Sequence, residues 1–353
     1  MRLHVVALPH HPVLAERSEC AYTQKIRRFS TWMTELGHEV ILYSVGDTDA
    51  QVTEHVRLDL GDALERGDGM SFKADDPAWQ ALNREAKRAI EARLGDGPGE
   101  HLCLVGGLAN APLADAFSRL TVAEYGVGYE GVLPCSRRAF ESYAWMHTVY
   151  GHLMGAGAAD GRFYDTVIPN CYDACEFPAG SGEGGYLLYM GRLTARKGVA
   201  ILDDLGKRGI PVVVAGSGEW RPEHCRHVGA VGPEERAQLM GAARALIAPT
   251  LYLEPFGGVV VEAQMCGTPV ITTDWGGFTE TVDEGVSGYR CRSLSDFLRA
   301  WDEVGDLDRQ VIRRRAQERW SADSAKALYT AWFTRLETLW GEGWYALPAG
   351  RVP

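Results

Sequence analysis

The chain has 353 residues, 46% of them hydrophobic and 24% charged, and carries a formal net charge of −11. This composition is ordinary for globular protein, and the length favours about two domains. The surplus of acid opposes nonspecific attraction to nucleic acid or anionic lipid, and no run approaches the roughly 18 apolar residues that a membrane span needs.

In chain order, MRLHVVALPHHP has too short an apolar core for a signal peptide and leads straight into a strand, Arg2 to Leu8, so a cytoplasmic protein with no membrane insertion is expected. After the loop PHHPVLAERSE, residues Cys20 to Leu36 have helical periodicity, with Ile26, Phe29, Met33 and Leu36 on one face. Gly37 stops that helix and HEVILYS is the second strand. A strand–helix–strand opening belongs to a parallel α/β sheet. The first loop lacks G-x-G-x-x-G, which weighs against a nicotinamide or flavin enzyme. It holds His10 and His11 instead. They read either as solvated loop residues or as groups near a ligand, because the carboxyl edge of a central strand is where open sheets bind ligands. Residues 47–100 are polar around one clear helix, Pro77 to Leu94. The strand HLCLVGG and the helix LADAFSRL follow, then a strand ending in a loop, Glu124 to Glu130, rich in glycine, tyrosine and acid. Tyr125 and Tyr129 in that loop are candidate ligand-side residues. His147 reads as packing on an aromatic helix.

The second half opens with DTVIPNCYDACEF and a linker, PAGSGEGG, and the domain boundary is placed between residues 172 and 173. Strand Tyr186 to Met190 ends at Gly191-Arg192, and Lys197-Gly198 leads into a helix. A further strand ends at Gly216-Ser217-Gly218, where Arg221 replaces the third glycine of a dinucleotide fingerprint. CRHVGAV is a short strand, Glu234 to Ala245 a helix. Helices are expected from Leu294 and Asp306, and a packed C-terminal helix holds Trp332, Trp340 and Trp344. Acids such as Glu337 and Glu342 argue against that helix as a membrane anchor. Eight cysteines in a chain this long suggest no disulfide framework. Cys171 with Cys175, and the loop His224-Cys225-Arg226-His227, lack a second ligand pair at zinc spacing, so no metal site is expected.

The most informative stretch is LYLEPFGGVVVEAQMCGTPVIT, Leu251 to Thr272. It reads as strand end, loop, helix, turn and strand. Pro255 suits the start of the helical turn, where its missing N–H would be unpaired anyway. Gly257 and Gly258 let a ligand approach the backbone closely. The N–H groups of the first helical turn, around Phe256 to Val259, favour an anion. Glu262, about one turn further in, sits in an otherwise apolar run and needs a partner. Anion site and carboxylates together point to a sugar nucleotide: pyrophosphate on the helix end, hydroxyls on Glu254 and Glu262.

Glu254 and Glu262 with EPFG and CGTPVI resemble the E-x7-E signature of retaining glycosyltransferases of family GT4. G-R-L-x4-K-G, the AGxG turn and VIPN-x2-D-x3-F resemble further motifs of the same family in order. The resemblance implies an α/β GT-B fold, two Rossmann-like domains with parallel sheets facing a cleft. Residues 1–172 would form the acceptor domain, onto which a C-terminal helix, 326–353, crosses back; residues 173–325 would form the donor domain. By the resemblance, Gly191, Arg192 and Lys197 grip the donor diphosphate, Gly216 and Gly218 lie under the nucleotide, and backbone groups from Val228 to Val231 read the base. Glu262 would hold the ribose, and Glu254 with the N–H groups of Phe256 to Gly258 the sugar. Glu124 stands where the family commonly has a histidine facing the sugar, and reads equally as acceptor base or sugar ligand and as structural carboxylate; His10, His11, Tyr125 and Tyr129 are the acceptor-side candidates. The co-substrate implied is a uridine diphosphate sugar, with no other cofactor and no metal. Retention would follow from same-face attack, the leaving phosphate taking the acceptor proton. A sugar-nucleotide epimerase of the same fold, or an inactive sugar-nucleotide-binding protein, is the alternative. GVGYEG, RAFESYAWMH and CAYTQKIRRF look like a branch of the family found in bacteriophage and large-virus genomes. The acceptor stays open between a small molecule, a protein and a modified DNA base. For DNA, the clusters Lys25-Arg27-Arg28 and Arg137-Arg138 are the basic candidates.

Overall fold

The computed structural model describes all residues except 18–19, 68–71, 96–98, 118, 136, 156–161 and 339–353. The chain divides into two compact units. The first comprises Met1–Glu141, Thr148–Ile168 and the described residues from Lys326 onward; the second comprises Ser142–His147 and Pro169–Ala325. The partition thus places Ser142–His147, expected in the first domain, with the second.

In the first unit, strands β1 (Arg2–Val6), β2 (Glu39–Ser44), β3 (Glu54–Arg57), β4 (Glu100–Leu104), β5 (Thr121–Val127), β6 (Arg138–Phe140) and β7 (Thr166–Val167) form one sheet. Its order is β3-β2-β1-β4-β5-β6-β7, and every neighbouring pair is parallel. The mainly apolar, buried strands β1, β2 and β4 suit burial on both faces, as a parallel sheet requires. Helix Ala21–Glu35 buries Ile26, Phe29 and Met33, the face that its periodicity picks out. Helix Pro77–Glu91 starts behind Asp76, whose carboxylate accepts from the Ala78 and Trp79 N–H groups, with Pro77 in the first turn. The polar stretch before it holds more than one helix: it also supplies β3 and a short helix, Ala63–Arg66. Helix Ala322–Glu337 packs Tyr329 and Phe333 on Phe29, and the Trp332 indole N–H donates to the Tyr164 carbonyl at 2.8 Å. Trp340, Glu342 and Trp344 lie outside the described residues.

In the second unit, β8 (Leu187–Met190), β9 (Val212–Ala215), β10 (Arg226–Gly229), β11 (Ala245–Ala248), β12 (Val270–Thr273) and β13 (Gly288–Cys291) form another all-parallel sheet. Its order is β10-β9-β8-β11-β12-β13. Leu187, Val212, Val214, Ile247 and Ile271 of the strands pack with Leu202, Phe297 and Ala300 of the covering helices. Strand β10 falls within the expected short strand CRHVGAV and takes Arg226 and His227 out of the loop reading of 224–227; it lies at an edge of the sheet.

Candidate functional site

Parallel strands send all their following loops to one edge, and the order β10-β9-β8-β11 brings the loops after these strands side by side. The backbone there is tightly packed. Any side chain at Gly216 would run into the Gly191 carbonyl, and one at Gly218 into that of Leu193. Leu193 N–H donates to Ser217 O at 2.9 Å and Gly216 N–H to Gly229 O at 2.7 Å. His227 Nε2 lies 2.8 Å from the Gly216 carbonyl. Gly191, Gly216 and Gly218 therefore have a packing role in addition to leaving room above the turn. Val228, on β10, and Val231, just beyond it, are half-buried beside this turn.

Two of the expected charges are joined. Lys197 Nζ lies 2.7 Å from Glu254 Oε2, with side chains 21% and 13% exposed. Burial alone would lower the Lys197 pKa, but the Glu254 carboxylate and the Tyr252 hydroxyl outweigh it and the net shift is upward. Tyr252 completes the group, its ring 4.9 Å from Lys197 Nζ and 4.7 Å from the Arg196 guanidinium. Arg192, by contrast, is exposed, and no ion pair joins it to another described residue. The sequence reading gave Lys197 to the phosphates and Glu254 to the sugar; the structure makes them one ion pair.

Helix Gly258–Met265 begins three residues after Pro255, so the proline belongs to the approach loop and not to the first turn. Gly257 is its N-cap at φ 84°, a left-handed conformation that a side chain would strain, and a Cβ there would meet the Phe278 ring. At Gly258 a Cβ would come within 2.6 Å of the Tyr172 hydroxyl. The glycine pair is thus fixed by packing as well as by any need for a ligand to approach. Glu262, on the next turn, is 6% exposed and forms an ion pair with Arg236 of helix Pro233–Ala242. Sequence reasoning found the buried carboxylate but not its partner. Arg236 sits among the acids of PEERAQL, and no spacing rule links it to a residue 26 positions on.

The first-unit candidates separate into two groups. Glu124 lies inside β5, not in a loop, and is fully buried. Its carboxylate accepts from Tyr129 Oη at 2.8 Å and from Leu133 N–H at 3.0 Å, and Arg138 Nε lies 3.6 Å away. Burial pushes its pKa up to about 7 against the pull of Arg138. Tyr129, Leu133 and Arg138 enclose the carboxylate, which is the arrangement of its structural reading. Tyr125 is likewise core, stacked on Phe29 with ring centroids 4.0 Å apart. His10, His11 and Tyr129 are half-buried at the carboxyl edge of the sheet. His10 stands edge-on to Trp79 at 5.8 Å, and Tyr129 stacks on Phe72 at 5.6 Å. In the two basic clusters, Lys25, Arg27 and Arg138 are paired with carboxylates. Lys25 is paired with Glu141, Arg27 with Asp49 at 2.8 Å, and Arg137 Nε donates to Val122 O. Arg138 is fully buried between Glu124 and Asp165. His147 stacks on Tyr143 of its own helix at 6.4 Å.

Residues 178–296 match the family model for glycosyl transferases group 1. The match spans β8 to β13 and contains every residue of the second-unit site described above except Tyr172. Glycogen synthase of Mycobacterium tuberculosis is 33% identical over 201 residues, which is 49% of this chain and 46% of the relative. The chain thus spans about half the length of that curated relative. Among solved structures, sucrose-phosphate synthase from Thermosynechococcus elongatus aligns over 95% of this chain and 99% of its own, with TM-score 0.71 and 17% identity. Anabaena HepE, solved with UDP and glucose, aligns over 95% and 100% with TM-score 0.64 and 13% identity. At such identities the likeness establishes the fold, the GT-B architecture of two Rossmann-like units with parallel sheets. No helix among the described residues is long and apolar enough to cross a membrane.

Proposed function

We propose that the protein is a glycosyltransferase that moves a sugar from a nucleoside diphosphate donor to an acceptor hydroxyl, with retention and without a metal. The observation that carries this reading is the Lys197–Glu254 pair, set beside the start of helix Gly258–Met265 within the segment that matches the family model. A nucleoside diphosphate leaving group gains negative charge as the glycosidic bond breaks. Fixed cations and first-turn N–H groups stabilise that charge where it develops. Lys197, held charged by Glu254, and the exposed Arg192 are the cations in this reading, and the arriving diphosphate shares Lys197 with Glu254. Glu254 then accepts from sugar hydroxyls. Glu262, aligned by Arg236, has its remaining acceptor capacity for the ribose. The leaving phosphate takes the acceptor proton on the face it departs from.

A uridine diphosphate sugar is the donor proposed, supported by the HepE structures solved with UDP-glucose and with UDP and glucose. The acceptor is a hydroxyl compound of unassigned class. The charges of Lys25, Arg27 and Arg138, each paired with a carboxylate, count against a DNA acceptor held by those residues. The test is a donor-hydrolysis screen over UDP-, GDP- and ADP-sugars, followed by mass spectrometry of candidate acceptors. Turnover of one donor class by the wild type, lost in Lys197→Ala with the fold retained, is the expected result. Full activity in Lys197→Ala would overturn the assignment.

A further inference from the structure

Helix Tyr143–Gly155 begins in the second unit, and its first N–H groups are satisfied without gaps. Tyr143 and Ala144 N–H donate to the Glu280 carboxylate at 2.9 and 2.7 Å. Trp145 N–H donates to Ser142 Oγ at 3.0 Å, and Met146 N–H to Ser142 O at 3.0 Å. A serine N-cap is common. A glutamate reaching in from 136 positions away to cap the first two N–H groups is not a local motif at all. The Ser142 hydroxyl, moreover, has its own proton to place, and it donates to the Pro255 carbonyl at 2.5 Å. Pro255 lies between Glu254 and Phe256 in the loop that presents the Lys197 partner and leads into helix Gly258–Met265.

The other side of the same loop is held from Glu280's own segment. Gly277 N–H donates to the Glu254 carbonyl at 2.7 Å, and Gly276 and Gly277 are packed so closely on it that a Cβ on either would lie 2.8 Å from Glu254 or Phe256 backbone atoms. The bonds close a ring. From Pro255 O it runs to Ser142, along the chain to Tyr143 and Ala144, across to Glu280, back to Gly277, and on to Glu254 O. Three segments far apart in sequence are tied by four hydrogen bonds, all within the second unit.

We infer that Ser142 and Glu280 are positioning residues that clamp the Glu254–Phe256 loop and thereby set the geometry of the sugar subsite. The inference rests on the glycosyltransferase reading for its functional consequence but not for the clamp itself. Neither residue touches Lys197 or Glu262 in the structure; both act through the loop backbone. The loop carries Glu254 and not the cations, so losing the clamp weakens recognition of the sugar more than of the nucleotide.

The test uses the full chain and the variants Ser142→Ala, Ser142→Thr and Glu280→Gln. Hydrogen exchange without ligand should show amides in 254–260 exchanging roughly fivefold or more faster in Ser142→Ala and Glu280→Gln, the factor that one net hydrogen bond carries. Ser142→Thr, which keeps the hydroxyl, should exchange like wild type. In titrations with UDP and UDP-glucose, Ser142→Ala should weaken UDP-glucose by roughly five- to tenfold while UDP changes by less than about twofold. Unchanged exchange of 254–260 in both Ser142→Ala and Glu280→Gln overturns the clamp. Equal weakening of UDP and UDP-glucose overturns its role in the sugar subsite. If wild type binds neither ligand, the functional reading fails for these donors, while the exchange experiment still decides the clamp.

Discussion

Lys197 Nζ and Glu254 Oε2 stand 2.7 Å apart at the carboxyl edge of the second sheet, joining the loop after β8 to the loop after β11. The pairing has a pH signature. Because the Lys197 pKa is raised in the folded chain, its stabilising contribution is fully present below the free-lysine value, about 10.4, and is lost as pH rises through the folded value. The stability difference between wild type and Glu254→Gln, from thermal melts, should therefore stay level from about pH 7 to about pH 9 and shrink above about pH 10.4. Glu254→Gln should also reduce transfer about 100-fold or more, the scale of losing one preorganised group at a charged transition state. A level difference up to alkaline pH would mean that the pair adds nothing to stability.

Gly258 and Tyr172 make a second, separable prediction. A Cβ at residue 258 meets the Tyr172 hydroxyl at 2.6 Å, whereas the ring carbon behind it is 3.9 Å away. Gly258→Ala should cost about 1–3 kcal/mol by overpacking. Tyr172→Phe, which removes only the hydroxyl, should recover part of that loss. Denaturant melts of the two single variants and the double variant give the coupling, expected at about 1 kcal/mol in the favourable direction. Additive losses would show that the clash is relieved elsewhere.

Arg236 and Glu262 are a nearly enclosed ion pair, with side chains 21% and 9% exposed. Removing one partner leaves the other charge without compensation, which costs more than the pair contributes. Arg236→Met should destabilise by about 3 kcal/mol, and adding Glu262→Gln should restore part of this by removing the orphaned charge. Equal melting temperatures for wild type and Arg236→Met would show that Glu262 is already neutral or solvated.

Glu124 predicts a pH dependence of the same sign in a lower window. Its folded pKa of about 7 lies above that of a free glutamate, about 4.3, so the folded chain binds the proton more tightly than the unfolded chain does. Stability must then fall as pH rises through this window, at most by about 1.4 kcal/mol per unit. Glu124→Gln removes the titration. Its stability relative to wild type should rise between about pH 4.3 and about pH 7 and then level off. A difference that is flat across the window would place the carboxylate's proton equilibrium outside it.

What the sequence determined by itself is what depends on neighbours in the chain. Apolar runs located most strands, because a parallel sheet is buried on both faces, and a 3.6-residue repeat located the first helix, because a helix buries one stripe. Glu254, the glycine pair and Glu262 fall within one short segment, so their spacing was readable as an anion and hydroxyl site; the diphosphate role of Arg192 and Lys197 rested on the family resemblance. The failures share one cause. Glu124 looked like a loop acid because an acid is a poor strand residue on propensity alone; Arg138 and Tyr129, packed onto it in three dimensions, make the strand tolerable. Lys25, Arg27, Arg137 and Arg138 looked like a basic face because their partners, Glu141, Asp49, Val122 and Asp165, are 15 or more residues away. Arg236 for Glu262, Tyr172 against Gly258, and Ser142 with Glu280 around Pro255 were invisible for the same reason. Charges and hydroxyls announce what they could do through their chemistry, but which partner takes them is decided only when the fold brings distant segments within hydrogen-bond reach.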